Sequence, residues 1–406
     1  MSITQQSNID FIPEDWGWKQ ECFASWAAMI AENTQTRELV PARVTGREHH
    51  LYEIVCPDFR SYPLFEKKTS LIGQFDNVRV SGRFEHGTGG TADFPVTGDW
   101  VLVDGDAGTP RIQGVLNRRS ALSRASAGNV GDEQVLASNI DVIFLVFALD
   151  GGRNFLLRFL ERALIVAKNS GAACCIVLNK ADLATGEERE RAIADAHRAA
   201  PNVSAVALSA KTGEGIEELS GILSPGDTGC MLGKSGVGKS ALLNALGKST
   251  ASVLNEANSA NATPNSDATL AREGNVREND LRGRHTTTSS HLYRLKSGIF
   301  LIDSPGIREL KLWGDAEGLE SGFPEIAELA SRCRFSNCAH KSENGCAVRE
   351  ALASGKLDEQ RYRSYLDLAR EQAWIERRND DRARRENEQK WKNISKLQKE
   401  IKKTRR

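Results

Sequence analysis

The hydrophobic pattern changes several times along the chain, and each change predicts a different kind of structure. Near the start, Phe23, Trp26, Ala27 and Ile30 are spaced as on one short helix, with Trp16 and Trp18 just before it. Residues 1–35 therefore read as a helical extension packed on a neighbour. From about Val40 to Val115 short alternating runs take over, at 42–45, 51–56, 78–84, 99–103 and 111–115, separated by glycine and proline. Five short strands predict a small β-barrel, and the oligonucleotide-binding (OB) barrel is the common five-stranded solution. A barrel with no nucleic-acid role fits the pattern as well, because basic residues such as Arg43, Arg47, Arg79 and Arg83 are sparse.

Residues 117–135 read as a polar connector. Beyond it, 140–149 and 172–178 are nearly continuous apolar runs with helical spacing over 155–168 between them, as buried parallel strands with a crossover helix should look. Another strand is expected over 203–208. A short apolar run ending at Leu232 then leads through a glycine-rich loop into an apolar helix from Ala241. Residues 249–280 carry no apolar period and read as a mobile insertion. A strand pair over 292–295 and 298–302 follows, then helices near 348–354 and 358–378.

The glycine-rich loop is Gly233-Lys234-Ser235-Gly236-Val237-Gly238-Lys239-Ser240, followed by Ala241. Strand, loop and helix in that order suit a phosphate-binding loop: backbone N–H groups close around phosphates, Lys239 reaches the β/γ-phosphates and Ser240 can ligate Mg²⁺. Upstream, one predicted strand ends in Asn179-Lys180-Ala-Asp182 and the next in Ser209-Ala210-Lys211. A carboxylate at Asp182 can accept both N1–H and N2–H₂ of guanine, donors that adenine does not offer. The second motif can supply a backbone N–H to guanine O6. Downstream, Asp303-Ser-Pro-Gly306 places an Asp just past a strand and a Gly whose N–H can meet a γ-phosphate. The base-reading motifs precede the phosphate loop, the reverse of the Ras-like order, so the site is expected from a circularly permuted chain.

Composition adds two points. The 406 residues carry zero formal charge, yet 377–406 hold 13 Lys/Arg against 5 Asp/Glu, leaving an acidic body with a basic end suited to a polyanionic partner. Of eight cysteines, only Cys333, Cys338 and Cys346 cluster with a histidine, His340, which points to a structural metal site of the closed Cys₃His type, with Zn²⁺ the fitting ion. The start has no basic stretch before an apolar core, and the longest apolar run, 142–149, is too short for a membrane span. A cytoplasmic protein, monomeric and off the membrane, is expected.

Barrel, permuted GTPase and Cys-x4-Cys-x-His-x5-Cys knuckle, with Gly283-Arg-His285-Thr286-Thr287-Thr288 and Asp303-Ser-Pro-Gly306, together resemble the small-ribosomal-subunit biogenesis GTPases of the RsgA (YjeQ) family. The resemblance covers about Val40 to Asp380. It implies a GTP-hydrolysing factor that binds the small (30S) subunit and its rRNA late in assembly and is stimulated by it. The expected division is a 1–35 extension, a 36–118 OB-like barrel, a 119–312 GTPase domain, a 313–380 helical zinc module and a 381–406 basic tail. Lys239, Thr286, Thr287 and His285 are the expected catalytic residues, with Ser240 and Thr287 on Mg²⁺. Where Ras-like enzymes carry a water-orienting glutamine this chain has Ile307, so His285 is the candidate to place the water, with a structural histidine the alternative. A nucleotide-switched RNA-binding module with negligible turnover is the competing function.

Overall fold

A computed structural model of the chain describes residues 12–32, 39–62, 71–104, 110–125, 133–151, 157–255, 290–303 and 322–371, with isolated positions 319, 373 and 377. They divide into two compact units, 1–123 with 135–310, and 124–134 with 311–406.

The first unit is built on one continuous eleven-stranded sheet. Its barrel half comprises β1 (Leu39–Glu48), β2 (Leu51–Cys56), β3 (Gly73–Val80), β4 (Trp100–Asp104) and β5 (Arg111–Val115). The strands pair in the cycle β1-β2-β3-β5-β4-β1, antiparallel except for β3 on β5. Closure leaves inward residues such as Val44, Ile54, Val101 and Ile112 fully buried in one core. The third strand ends earlier than its alternating pattern suggested. Ser81 accepts a hydrogen bond from the Phe84 N–H (3.2 Å) and so caps a short helix, α2 (Gly82–Gly87), over residues read as strand.

The other half holds β8 (Val142–Ala148), β9 (Ala173–Asn179), β10 (Ser204–Ala207), β11 (Thr228–Leu232), β12 (Ser290–Arg294) and β13 (Phe300–Asp303), in the order β10-β9-β8-β11-β13-β12. All are parallel except β12. Helices α3 (Leu157–Asn169), α4 (Gly186–Ala199), α5 (Ile216–Ser220) and α6 (Lys239–Asn255) connect them. The apolar runs of β8, β9 and β11 are buried because helices cover the sheet. α6 runs to Asn255, so its backbone hydrogen bonding carries the first residues of the supposed insertion despite their polar composition; residues 256–289 lie outside the described residues. The polar connector 117–135 is also more regular than expected, since it contains β6 (Ala121–Ala125) and the start of its partner β7 (Glu133–Ser138).

The Trp-rich start explains why the two halves form one body. Trp16 packs on Phe300 of β13 (5.8 Å between centroids), and Trp18 meets Trp100 of β4 edge-on (4.8 Å). Behind them α1 (Gln20–Glu32) inserts Trp26, 1% exposed. Lys19 Nζ donates to Asp141 (2.6 Å) and Asp227 (2.9 Å), at the starts of β8 and β11. Arg43, one of the sparse basic residues of the barrel, is 1% exposed and donates to the Trp16 carbonyl (2.5 Å) and Thr228 Oγ1 (2.8 Å). An alternating pattern places Arg43 on one face of its strand, and only the neighbouring half makes that face interior.

The second unit contains α7 (Pro324–Ser331), which the apolar pattern did not single out, α8 (Ala347–Ala353) and a helix over 359–371. Phe323, Ile326, Val348 and Tyr362 form its interior. The nearly buried Arg361 lies over the Phe323 ring (4.5 Å) and donates to Glu325 and the Gly322 carbonyl.

Candidate functional site

The loops that follow β9, β10 and β11 leave the sheet at its C-terminal edge, where β13 also ends and where ligands of open parallel sheets bind. After β11 the chain turns through Gly233–Gly238 into α6. Gly236 and Gly238 have φ of +83° and +94°, and a Cβ on Gly233 would lie 2.3 Å from the Val146 carbonyl oxygen. The loop can pass this close to the sheet only with glycine there. Lys239 Nζ donates to the Gly233 (2.8 Å) and Lys234 (3.1 Å) carbonyls, so the ammonium is held under the loop. Lys234 itself points away, its Nζ 4.8 Å from the Phe159 ring centre.

The base-reading loops are joined to this loop by one side chain. Asn179, 2% exposed at the end of β9, donates from Nδ2 to the Val237 carbonyl (2.9 Å) and accepts at Oδ1 from the Ala210 N–H (3.0 Å). A Cβ at Gly238 would come within 2.4 Å of that Nδ2. Lys180 adopts φ +62° and reaches Asp150 (3.3 Å), which turns the chain so that Asp182 follows in a short 3₁₀ turn. Ser209 Oγ donates to Asp182 Oδ1 (2.6 Å), and this bond holds the carboxyl below its ordinary pKa. Asp182 is therefore ionised, with one oxygen fixed. The motif pattern located Ser209 but not this duty, because the bond joins residues of the loops after two different strands. Lys211 is exposed on the same loop. A cavity of about 530 Å³ lies between this loop and α6, lined by Ala210, Lys211, Ala241, Asn244 and Lys248 among others. A larger cleft of about 740 Å³, lined by Ile12, Glu14, Arg60 and Tyr62, contains none of the phosphate-loop or base-reading residues.

Asp303 ends β13, two sheet positions from β8 and next to the phosphate-loop strand. Burial raises its pKa while the Lys239 charge opposes the rise, and burial lowers the pKa of Lys239 while Asp303 opposes the fall. Dehydration thus outweighs the attraction between the two charges. His285, Thr286, Thr287, Gly306 and Ile307 lie outside the described residues.

In the second unit, Cys333, Cys338, His340 and Cys346 bring their ligand atoms within 4.8 Å of one another, an arrangement that could hold a metal ion. Cys333 Sγ is 3.9 Å from Cys346 Sγ and 3.6 Å from His340 Nδ1, and His340 Nδ1 is 3.4 Å from Cys346 Sγ. The knuckle bends through His340 (φ +57°) and Gly345 (φ +75°). Glu343 ties it together by accepting the N–H groups of Ala339, Lys341 and Ser342 at 2.8–2.9 Å.

A sheet of this strand order, with a phosphate loop after β11 and base-reading loops that come earlier in the chain, defines a circularly permuted P-loop GTPase. Residues 115–313 match the RsgA GTPase family. A "Small ribosomal subunit biogenesis GTPase RsgA" of Opitutus terrae is 42% identical over 77% of this chain and 82% of its own length. Proteins of the same description from Methanosarcina acetivorans and Streptomyces coelicolor are 36% and 35% identical, over 90% and 95% of this chain and 85% and 93% of theirs. The chain belongs to the RsgA family. Two solved structures share its fold: YjeQ from Thermotoga maritima (TM-score 0.55, 23% identity, 82% of this chain and 97% of that one) and the circularly permuted GTPase YloQ (TM-score 0.53, 19% identity, 85% and 98%).

Proposed function

We propose that the chain hydrolyses GTP in the biogenesis of the small ribosomal subunit, docking on that subunit and its rRNA in the cytoplasm. The observation that carries the nucleotide reading is the Asn179 side chain, bonded at once to the phosphate loop and to the Ala210 amide of the second base-reading loop. One amide makes base recognition and phosphate binding a single preorganised site. In it Asp182 accepts guanine N1–H and N2–H₂, the amides of residues 233–241 and Lys239 hold the phosphates, and Ser240, Thr287 and Asp303 would hold Mg²⁺. When bound there, the ion would supply charge neutralisation at the β/γ-phosphates. His285 orients the attacking water in place of the missing glutamine, and Ile307 keeps the unassisted rate low.

The sulfur and nitrogen spacings at the knuckle support Zn²⁺ as its ion. Tetrahedral Zn–S bonds of ~2.3 Å place ligand atoms about 3.8 Å apart, close to the 3.4–3.9 Å separations between Cys333, His340 and Cys346. With three thiolates and an imidazole the ion has no open position, so its role is structural.

Phosphate release from GTP, measured with and without purified small ribosomal subunits, tests the function. Slow turnover alone and a large stimulation by subunits are expected, with ATP inactive. His285→Ala should bind GTP and subunits normally yet lose most of the stimulated rate. Absence of GTP turnover in both conditions would leave only the nucleotide-switched module.

A further inference from the structure

The turn Thr97-Gly98, just before barrel strand β4, is the point at which the barrel enters the nucleotide-binding half. Thr97 is 1% exposed, and its Oγ1 donates to the carbonyl of Ser290, the first residue of β12 (2.9 Å). Gly98 follows at φ +95°, so close to its neighbours that a Cβ would meet the Ser138 carbonyl oxygen at 2.2 Å and Ile302 Cδ1 at 3.2 Å. Ile302 immediately precedes Asp303. The turn is held in place by the barrel itself: Gly98 N–H donates to the Val44 carbonyl (2.9 Å), and fully buried Asp99 accepts the Val96 N–H (2.8 Å) and both Arg118 nitrogens (2.8 Å each).

The strand that Thr97 grips is shared. On one side β12 pairs with barrel strand β1, Arg47 opposite Ser290 and Gly46 opposite His291. On the other it pairs with β13, His291 opposite Asp303. A second contact between the halves, His291 Nδ1 to Glu53 at 3.6 Å, joins half-exposed groups and is screened by water. The buried Thr97 bond has no such screening, so it fixes where β12 starts. In the sequence Ser290 stands three residues after Thr287, the threonine assigned to Mg²⁺.

We propose that Thr97 is a positioning residue for GTP hydrolysis: through Ser290 and Ile302 the barrel sets the β12–β13 pair that carries Asp303. Among the described residues the hydrogen bonds of this turn go to Ser290, Ser138, Asn139 and Val44, none of them in the phosphate or base-reading loops, so nucleotide binding does not depend on it, whereas the geometry of the carboxylate does. The proposal rests on the assignment of Asp303 to the magnesium side of a GTPase site.

The test compares parent, Thr97→Val and Thr97→Ser as full-length protein, with GTP affinity read by fluorescent-nucleotide titration and kcat and KM by phosphate release. Thr97→Val keeps the shape and removes the donor. It should lower kcat about tenfold, as loss of one positioning bond does, with GTP affinity and KM within about twofold of the parent; Thr97→Ser, which retains the donor, should restore kcat. Unchanged kcat in Thr97→Val, loss of GTP affinity together with kcat, or failure of serine to rescue would each overturn the proposal. A parent protein that binds GTP without hydrolysing it would instead overturn the GTPase reading, and this inference with it.

Discussion

At the scale of single residues the proposed nucleotide site includes one contact that tolerates no added atom. Gly238 has φ +94° and no room for a Cβ beside Asn179. Gly238→Ala should therefore displace both the phosphate loop and the Asn179 amide, abolishing GTP binding in a titration while circular dichroism of the sheet stays unchanged. Asp182 acts differently, because its carboxylate is shaped by a bond and not by space. Asp182→Asn should weaken GTP roughly a hundredfold, since an amide cannot accept both guanine donors, and should improve binding of xanthosine triphosphate. Competition between the two nucleotides measures this, and unaltered GTP affinity would refute the base assignment. Both positions were legible in the sequence because glycine spacing and a strand-ending Asp are local signals. The supporting bonds from Asn179 to Val237 and from Ser209 to Asp182 were not, since each spans more than 25 positions.

At the scale of elements the cysteine knuckle is a loop that a bound metal would order. Its helices are short, α7 with eight residues and α8 with seven, and helices of that length are marginal by propensity alone. One zinc per chain is expected by elemental analysis. Cys338→Ser should release the zinc and expose the 311–371 segment to limited proteolysis, yet leave GTP affinity near the parent value because every nucleotide residue belongs to the other unit. Loss of GTP binding in that variant would contradict the independence of the two sites. The ligand set was readable from spacing, whereas α7 was not, because Pro324–Ser331 buries only Ile326 deeply and so carries a weak apolar signature.

At the scale of the whole molecule the Trp-rich start decides how the first unit behaves under acid. Burial raises the Asp141 pKa, but the bond from Lys19, the Thr228 N–H and the Arg119 charge more than offset this and hold it below the usual carboxylate value. A lowered folded pKa means that the folded chain binds fewer protons, so this contribution is complete above about pH 4 and is lost as the pH falls towards the folded value. Lys19→Met should cost about 1–2 kcal/mol at neutral pH, a range reduced for the partial exposure of the pair, and less near pH 3; thermal unfolding at the two values measures the difference. Equal losses at both would show that the Lys19 alkyl chain matters and its charge does not. The sequence by itself determined most strands and helices, the permuted order of the motifs and the candidate phosphate, base and metal residues, because each rests on a local period or a short spacing. Only the tertiary structure decided that the tryptophans, Arg43 and Thr97 fasten the barrel to the nucleotide-binding half. Those roles depend on which faces of distant strands meet, and hydrogen bonds such as Arg43 to Thr228, or Thr97 to Ser290, join residues that no local pattern relates.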